Sequence, residues 1–253
     1  MTKNYCGAAA RAAMLLGVSH AFGAVAEAYH RWRTAIPYAA FDWMVPQPCR
    51  RVVELGAGTG IQTRRLTVFA DEVLAVEPDP KMRAVCQVDG AKLLVGTAED
   101  IPVEDGGADL VVALDSWHWF AQPEATNEAA RVLRPGGTLA VAWNLPELAD
   151  DWTVEFWRSV TAAHDETRRP GRLMLGVDAP FATPQYRVMR WTSRRSADDF
   201  VALLGTYSQV IAMDPLERGE FLDRQRELLP IDPDGMVDAR FTTVCWRIVH
   251  MGA

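Results

Sequence analysis

The stretch VVELGAGTG, residues 52–60, decides the fold. A short apolar run ends here in an acid, Glu54, and a cluster of glycines, and residues 61–69 then carry apolar side chains at helical spacing. This order predicts a strand, a glycine loop and a helix. Glycines let the backbone turn sharply and let a ligand approach where a Cβ would block it. Because ligands of open α/β sheets bind at the carboxyl ends of strands, the loop is a candidate binding site.

Further short apolar runs follow along the chain and alternate with segments of helical spacing. Runs without polar alternation fit strands that are buried on both faces, and their alternation with helices predicts βαβ units. The chain is therefore predicted to be an α/β protein with a parallel sheet. The predicted strands after the first cover residues 73–76, 92–95, 109–114 and 138–143, and later ones cover 186–193 and 241–249.

The sequence pattern divides the chain into four regions. Residues 1–45 are predicted to form an N-terminal helical lid, whose first 20 residues are an optional helical extension, and residues 46–145 form the ligand-binding core. Residues 146–210 are predicted to be a cap or insertion with substrate-facing elements, and residues 211–253 a helix and a strand that complete the sheet.

Composition disfavours several classes of function. The formal net charge of -7 argues against a nucleic-acid partner, which needs basic surface. Cys6, Cys49, Cys86 and Cys245 form no C-x-x-C pair and lie at no zinc-finger spacing, so neither a metal site nor a disulfide framework is expected. No apolar run is long enough to cross a bilayer. We expect a cytoplasmic protein without a membrane partner, as a monomer or a homodimer.

A second acid, Glu77, ends the second predicted strand. A carboxylate at this place can accept hydrogen bonds from both ribose hydroxyls of a nucleoside, although a structural role at a helix N-terminus is the alternative. A dinucleotide-binding loop has the spacing G-x-G-x-x-G, but its last position is occupied by Ile61, because the third glycine, Gly60, comes one residue early. Glu54 beside the loop instead fits a ligand that presents an ammonium group.

These motifs, taken in order, resemble those of class I S-adenosylmethionine (SAM)-dependent methyltransferases. The resemblance implies a Rossmann-like seven-stranded sheet, mostly parallel with an antiparallel last strand, with helices on both faces and a helical cap. Residues 22–23, 28–33, 118–120 and 143–144 are similar to a bacterial subgroup related to trans-aconitate methyltransferase and the ubiquinone-type C-methyltransferases. The segments that carry the family resemblance are 52–60, 74–79 with Met82, 96–102, 108–112 and 131–137.

The resemblance also implies which residues bind SAM, the cofactor that leaves as S-adenosylhomocysteine (SAH). The glycine loop would line the methionine end, Glu77 would hold the ribose, and Arg33 of the lid would pair with the SAM carboxylate. A surface cation is the alternative for Arg33, and helix packing is the alternative for Tyr29. The full set of implied cofactor contacts is Tyr29, Arg33, Glu54, Gly56, Ala57, Gly58, Gly60, Glu77, Pro78, Met82, Ala98, Glu99 and Asp115.

The reaction centre is predicted at DSWHWF, residues 115–120, which follow the fourth strand. His118 is the candidate base, with a structural role as the alternative. Asp115 would contact the amino end of SAM or accept a hydrogen bond from the acceptor. Four tryptophans are candidate substrate contacts, with core or lid packing as the alternative: Trp32, Trp117, Trp119 and Trp143.

The predicted function is methyl transfer from SAM to a small-molecule acceptor, with an aromatic specialised metabolite as one candidate. Two alternatives stay open. The first is a non-catalytic protein that binds SAM or another nucleotide, and the second is a nicotinamide-dependent oxidoreductase, against which Ile61 argues.

Overall fold

The computed structural model describes residues 22–161, 171–176 and 180–252. The extension predicted for the first 20 residues lies outside this part of the chain. The strands are β1 (Arg51–Leu55), β2 (Glu72–Val76), β3 (Ala91–Leu94), β4 (Ala108–Leu114), β5 (Leu133–Pro146), β6 (Gln185–Ser196) and β7 (Met236–Val249).

These strands form a seven-stranded sheet in the order β3-β2-β1-β4-β5-β7-β6. Strands β1 to β5 pair in parallel, whereas β7 runs antiparallel to both β5 and β6. The strand order reverses between β1 and β4, which puts a topological switch point beside the glycine loop. The predicted Rossmann-like sheet, mostly parallel with an antiparallel last strand, is confirmed.

The described helices flank the sheet and build a cap beyond it. They are α1 (Ala26–Trp32), α2 (Tyr38–Met44), α3 (Thr63–Leu66), α4 (Pro80–Val85), α5 (Glu124–Val132), α6 (Asp151–Thr161), α7 (Ala197–Leu204), α8 (Ser208–Ile211) and α9 (Pro215–Glu227), with a 3₁₀ turn at Trp117–Trp119. α1 and α2 are two short helices that precede the first strand.

The core has one apolar cluster on each face of the sheet and a third in the cap. Every residue of β4 is buried, and successive side chains alternate between the two faces, so that Val111 packs with α5 while Leu110 packs with α2. The third cluster joins α6, α7 and α9 to β7, with Phe200 and Phe241 fully buried. The cap is thereby fixed to the sheet rather than tethered by a loop.

Several element boundaries differ from the sequence prediction, for local physical reasons. The helix predicted for residues 61–69 is α-helical only at Thr63–Leu66, and the chain continues in tighter i→i+3 turns through the β-branched Thr67 and Val68. Residues 134–137 form a bulge within β5, where the register with β4 shifts and Gly136 has a φ of 78°.

The last two strands are also longer than predicted. β7 begins at Met236 rather than at residue 241, because exposed charged residues such as Asp238 interrupt the apolar pattern there while the backbone continues to pair with β6. β6 lies within residues 146–210, so this region contributes a strand to the sheet as well as helices to the cap.

Candidate functional site

The glycine loop follows β1 and adopts a backbone that suits glycine. Gly56, Gly58 and Gly60 have φ values of 69°, 59° and 81°, in the left-handed region. A Cβ on Gly56 would lie 2.9 Å from Cβ of Ser116, and a Cβ on Gly60 would lie 2.7 Å from Sγ of Cys86. The Gly56 N–H donates to the Val76 carbonyl over 2.9 Å, which ties the loop to the end of β2. Each predicted glycine is therefore required by the backbone itself.

Glu77 stands directly after β2, with its side chain turned toward the glycine loop. Its Oε2 accepts a hydrogen bond from the Gly58 N–H over 2.8 Å, and its Oε1 accepts one from the Asp79 N–H over 2.9 Å. Burial raises the pKa of Glu77, while these two backbone N–H groups oppose the shift. A nearly buried carboxylate is thus held at the place where the sequence predicted a ribose contact.

Glu54, at the end of β1, lies beneath the loop and is 1% exposed. The Thr63 hydroxyl donates to its Oε2 over 2.6 Å. Burial raises the pKa of Glu54 to about 8, and the negative charge of Glu77 adds to the rise. Glu54 is therefore largely protonated at neutral pH before a cation approaches it.

The next four implied cofactor contacts are Pro78, Met82, Ala98 and Glu99. Met82 and Ala98 are buried, and the methyl carbon of Met82 lies 3.4 Å from where a Cβ on Gly58 would sit. Pro78 is exposed. Glu99 is half-buried, and its Oε1 accepts the Ala121 N–H over 2.7 Å. Met82 is thus brought next to the glycine loop, whereas Glu99 already has one oxygen in use.

Asp79 was not singled out by the sequence reasoning, although it stands in the same turn. Its Oδ1 accepts from the Lys81 N–H over 2.7 Å and from the Met82 N–H over 3.3 Å, which caps α4. The acid followed by proline at the start of a helix is the sequence signal that could have identified this cap. The cap fixes the helix that carries Met82.

A cavity opens above the loop, between the sheet and the helices α1 and α7. Its lining residues come from each of the four ranges that the sequence pattern predicted, 1–45, 46–145, 146–210 and 211–253. The lining residues are Tyr29, Arg33, Thr34, Glu54, Gly56, Ala57, Gly58, Thr59, Ile61, Gln62, Leu114, Asp115, Asn144, Leu203, Tyr207 and Phe241.

Helix α1 covers the glycine loop and brings Tyr29 and Arg33 to the cavity. His30 on the same helix donates from Nδ1 to the Thr59 carbonyl over 3.0 Å, which fastens α1 across the loop. The Arg33 guanidinium lies 5.1 Å from the ring centroid of Tyr29 and 4.1 Å from that of Tyr207, and it donates to the Thr206 carbonyl. The sequence reasoning did not single out Tyr207.

Asp115 follows β4 and is the one non-glycine residue with a positive φ, 57°, in the described part of the chain. Its Oδ1 accepts the Asn144 N–H over 2.8 Å. Burial raises the pKa of Asp115 to about 6, while the backbone hydrogen bond and the charge of Arg33 oppose the shift. An acid that titrates close to neutral pH therefore lines the cavity, in a strained backbone conformation of the kind found at functional sites.

His118 lies outside the cavity wall, in the 3₁₀ turn. Its Nδ1 is 3.0 Å from Nε1 of Trp143, and since the indole N–H is a donor only, Nδ1 must be the acceptor. In neutral His118 the proton is then on Nε2, which removes the lone pair that a base would use there. The structure thus gives His118 a hydrogen bond from Trp143 at Nδ1 and a ring contact with Trp119.

The four predicted tryptophans divide into two groups. Trp117 and Trp143 are 2% and 1% exposed and belong to the core cluster beneath α5, with the Trp117 indole donating to the Met174 carbonyl over 2.9 Å. Trp119 and Trp32 are half-buried, and Trp119 packs edge-to-face on Phe22 at the lid. None of the four lines the cavity as the structure describes it.

The chemistry of the donor set fits SAM. Arg33 Nε and Thr59 Oγ1 are buried polar atoms without a hydrogen-bond partner in the described structure, and both residues line the cavity. The methionine end of SAM is a zwitterion, so it offers a carboxylate to a donor such as Arg33 and an ammonium group to an acceptor such as the Thr59 hydroxyl. The described residues contain no His, Cys, Asp and Glu cluster suited to a metal ion, and none of their helices has the length and apolar character to span a membrane.

Comparison with known proteins gives a family. A family model described as a methyltransferase domain matches residues 53–141. An uncharacterised methyltransferase of Mycobacterium tuberculosis is 35% identical over 237 residues, which cover 91% of this chain and 96% of that protein. The ubiquinone/menaquinone biosynthesis C-methyltransferase of Dinoroseobacter shibae is 33% identical over 124 residues, which cover 44% of this chain and 48% of that protein.

A solved structure shows the same fold. A candidate type II methyltransferase from Anaeromyxobacter dehalogenans aligns with a TM-score of 0.63 at 23% identity, over 87% of this chain and 98% of that one. Together with the mycobacterial relative, which is similar along nearly its whole length, this result defines the class. The chain belongs to the class I SAM-dependent methyltransferases.

Proposed function

We propose that this chain binds SAM at the carboxyl ends of β1, β2 and β4 and transfers its methyl group to a small-molecule acceptor in the cavity. The observation that carries the proposal is Glu77, a nearly buried carboxylate that faces the glycine loop and accepts the Gly58 N–H over 2.8 Å. An acid at this position is suited to the two hydroxyls of a ribose. SAM, when bound, supplies an electrophilic methyl group on a sulfonium sulfur.

The adenosine half would lie between the loop and the start of α4. Glu77 binds the ribose, while Met82 and Pro78 pack against the adenine ring and Ala98 supports it from β3's side of the groove. The burial of Met82 beside Gly58 supports this arrangement. Glu99 would use its second oxygen for the adenine amine, because Oε1 already accepts the Ala121 N–H.

The methionine half would lie along Gly56, Ala57 and Gly60 and under the lid. Arg33 pairs with the carboxylate of the ligand, supported by its buried Nε without a partner. Glu54 orients the ammonium group, directly or through water, and gives up its proton as the cation arrives, since a neighbouring positive charge lowers a carboxyl pKa. Tyr29 holds the Arg33 guanidinium against its ring.

Catalysis by this chain's residues would depend on alignment of the two reactants, exclusion of water and one carboxylate side chain. Methyl transfer is an in-line displacement, so holding the two reactants in line lowers the barrier. We assign to Asp115 the acceptance of a proton or hydrogen bond from the acceptor, because its carboxyl lines the cavity and titrates near pH 6. His118 supports the turn through its hydrogen bond with Trp143 rather than acting as the base.

The acceptor would lie against the apolar side of the cavity. Leu203, Tyr207 and Phe241 supply apolar and aromatic surface to the cavity wall. Two aromatic rings in the wall support a small acceptor with an aromatic or apolar body, and Asp115 favours a hydroxyl or amine as its nucleophile. We place the chain near the trans-aconitate and ubiquinone-type small-molecule enzymes, supported by the similarity to the Dinoroseobacter protein.

A nicotinamide-dependent oxidoreductase is the competing candidate, and the position of Gly60 argues against it. Gly60 stands one residue too early for the G-x-G-x-x-G loop of such enzymes. A glycine is needed at this position for packing, because a Cβ there would meet Cys86 and Val88. The absence of a Cβ at the third glycine is thus explained by packing of the loop against the residues that follow α4.

Calorimetric titration with SAM, SAH and NAD separates the candidates. We expect SAM and SAH to bind with micromolar dissociation constants and NAD not to bind. A second assay follows SAH release from SAM with a panel of phenols, aromatic amines and aliphatic carboxylates. Binding of NAD alone would overturn the proposal, and SAM binding without SAH release on any acceptor would favour a non-catalytic SAM-binding protein.

A further inference from the structure

The short segment between α1 and α2 is fastened by side chains from three other elements. Arg195 of β6 donates to the Trp32 carbonyl over 2.6 Å and to the Thr34 hydroxyl over 3.0 Å. Asn144 of β5 donates to the Thr34 carbonyl over 3.0 Å, and Gln62 accepts the Ile36 N–H over 3.1 Å. The end of the lid helix is therefore bound to the sheet by hydrogen bonds.

Arg195 uses its guanidinium for the lid rather than for an ion pair. It is half-buried, its Nε donates to the Ser193 hydroxyl over 3.0 Å, and no carboxylate lies within ion-pair distance of it among the described residues. Burial lowers the pKa of Arg195, and the charge of Asp199 on α7 works against this shift. Because isolated buried charges are costly, the partial burial of Arg195 has to be compensated by the groups that it binds.

The C-terminal end of α1 is the part of the lid that Arg195 binds. Trp32 is the last residue of the helix, so its carbonyl has no partner within the helix and carries the negative end of the helix dipole. Arg195 supplies the missing donor and the complementary charge. It caps α1 from a strand that is 163 residues away in sequence.

The two atoms that Arg195 binds stand on either side of Arg33. With residues 32 and 34 both held, the backbone of Arg33 has little freedom, and its guanidinium lies between Tyr29 and Tyr207 at the cavity wall. We propose that Arg195 is a positioning residue for SAM binding: it fixes the end of the lid helix so that Arg33 meets the carboxylate of the cofactor. This inference rests on the proposed function, because it assigns Arg33 to SAM.

The test compares Arg195→Met with Arg194→Met. Arg194 is the matched control, since it neighbours Arg195 on the same strand but is exposed and pairs with Asp232 and Asp238 at the surface. We expect Arg195→Met to raise the calorimetric dissociation constant for SAM about tenfold, because the end of the lid helix loses the hydrogen bonds to Trp32 and Thr34. Arg194→Met should stay within about twofold of the wild type. Arg195→Lys, which keeps the charge, should recover part of the loss.

A double-mutant cycle separates positioning from general stability. If Arg195 acts through Arg33, its removal from an Arg33→Met background should weaken SAM binding by no more than about twofold. Losses that multiply, or wild-type affinity in folded Arg195→Met, would overturn the inference. Hydrogen exchange gives an independent readout: amides of residues 26–36 should exchange faster in Arg195→Met than in Arg194→Met. If the wild type does not bind SAM, the proposed function fails, and equal exchange in the two variants would then also remove the role of Arg195 at the lid.

Discussion

Glu77 Oε2 lies 2.8 Å from the backbone nitrogen of Gly58, so that the end of β2 and the glycine loop share one hydrogen-bonding group. The loop N–H orients the carboxylate, and the carboxylate in turn fixes the loop. A ribose bound by Glu77 would therefore meet a site whose geometry is already set before the ligand arrives, which reduces the cost of binding.

Replacement of Glu77 by glutamine should weaken SAM binding by about 10- to 100-fold. A glutamine keeps the shape but has one acceptor oxygen, so it can accept from Gly58 or from Asp79 and not from both, and it loses charge-assisted hydrogen bonds worth roughly 1.5–3 kcal/mol. Isothermal titration with SAM measures the effect. Glu72→Gln is the control, because Glu72 opens the same strand and pairs with Arg51 at its far end. Equal affinities for Glu77→Gln and wild type would remove Glu77 from the ribose site.

Gly60→Ala should cost more stability than Gly106→Ala, although both glycines have a positive φ, 81° and 64°. A Cβ at Gly60 would meet Cys86 at 2.7 Å and Val88 at 2.8 Å, whereas nothing lies within 4 Å of one at Gly106. We expect about 1 kcal/mol for the backbone strain in both variants and an additional 1–3 kcal/mol for the overlap at Gly60. Urea denaturation gives the two free energies of unfolding, and a difference near zero would argue against a packing role for Gly60.

Glu54 should make the ligand-free protein less stable as pH rises. Its folded pKa of about 8 lies above the ordinary 4.5, so the native state keeps a proton that the unfolded state releases across this window. Stability from this group is complete below pH 4.5 and is lost as pH rises toward 8. Glu54→Gln cannot titrate, so the wild type should lose on the order of 3–5 kcal/mol relative to this variant between those pH values.

Unfolding free energies of the two proteins at several pH values test this difference. All other groups, including Glu77 with its raised pKa, titrate in both proteins and cancel to first order. Parallel curves would mean that Glu54 is ionised in the folded protein at neutral pH. A gap that widens with rising pH is the expected result.

Asp115→Asn should lower turnover by about 10²- to 10⁴-fold while SAM affinity stays within about threefold. Asparagine can still accept the Asn144 N–H, so the backbone arrangement is kept. In the wild type the rate should fall as pH drops below about 6, where the Asp115 carboxyl gains its proton, and this acidic limb should be absent in the variant. SAH release with an acceptor found in the panel measures both quantities.

His118→Phe provides the contrast to Asp115→Asn. Loss of the Trp143 hydrogen bond should reduce the free energy of unfolding by about 1–2 kcal/mol and leave the turnover number of the folded enzyme within a fewfold of the wild type. A large drop in turnover at unchanged stability would return His118 to the role of base and would weaken the assignment to Asp115.

The glycine loop and Glu77 could be predicted because their signal is local. A strand that ends in an acid and a glycine cluster, and a second strand that ends in Glu77, specify the sheet edge without knowledge of distant contacts. The seven-stranded, mostly parallel sheet with an antiparallel last strand followed from the family resemblance. Tyr207 and Arg195 could not be predicted from local sequence. They reach α1 only because β6 pairs with β7 in the folded sheet, far from α1 along the chain.

The tryptophans show where local sequence is not sufficient to predict a binding site. Composition drew attention to Trp117 and Trp143 near the predicted reaction centre, but whether a side chain faces a cavity or the core depends on how the turn that carries Trp117 packs and how the strand that carries Trp143 pairs. Both turned out to lie in the core beneath α5, while the cavity wall uses Tyr207 and Phe241.

The most direct test of SAM binding at this site is a crystal structure of the complex with SAH. We predict both ribose hydroxyls within about 3 Å of the Glu77 carboxylate oxygens and the methionine carboxylate beside the Arg33 guanidinium. SAH with its ribose away from Glu77, or a failure of SAH to occupy the groove under saturating conditions, would contradict the proposed binding mode.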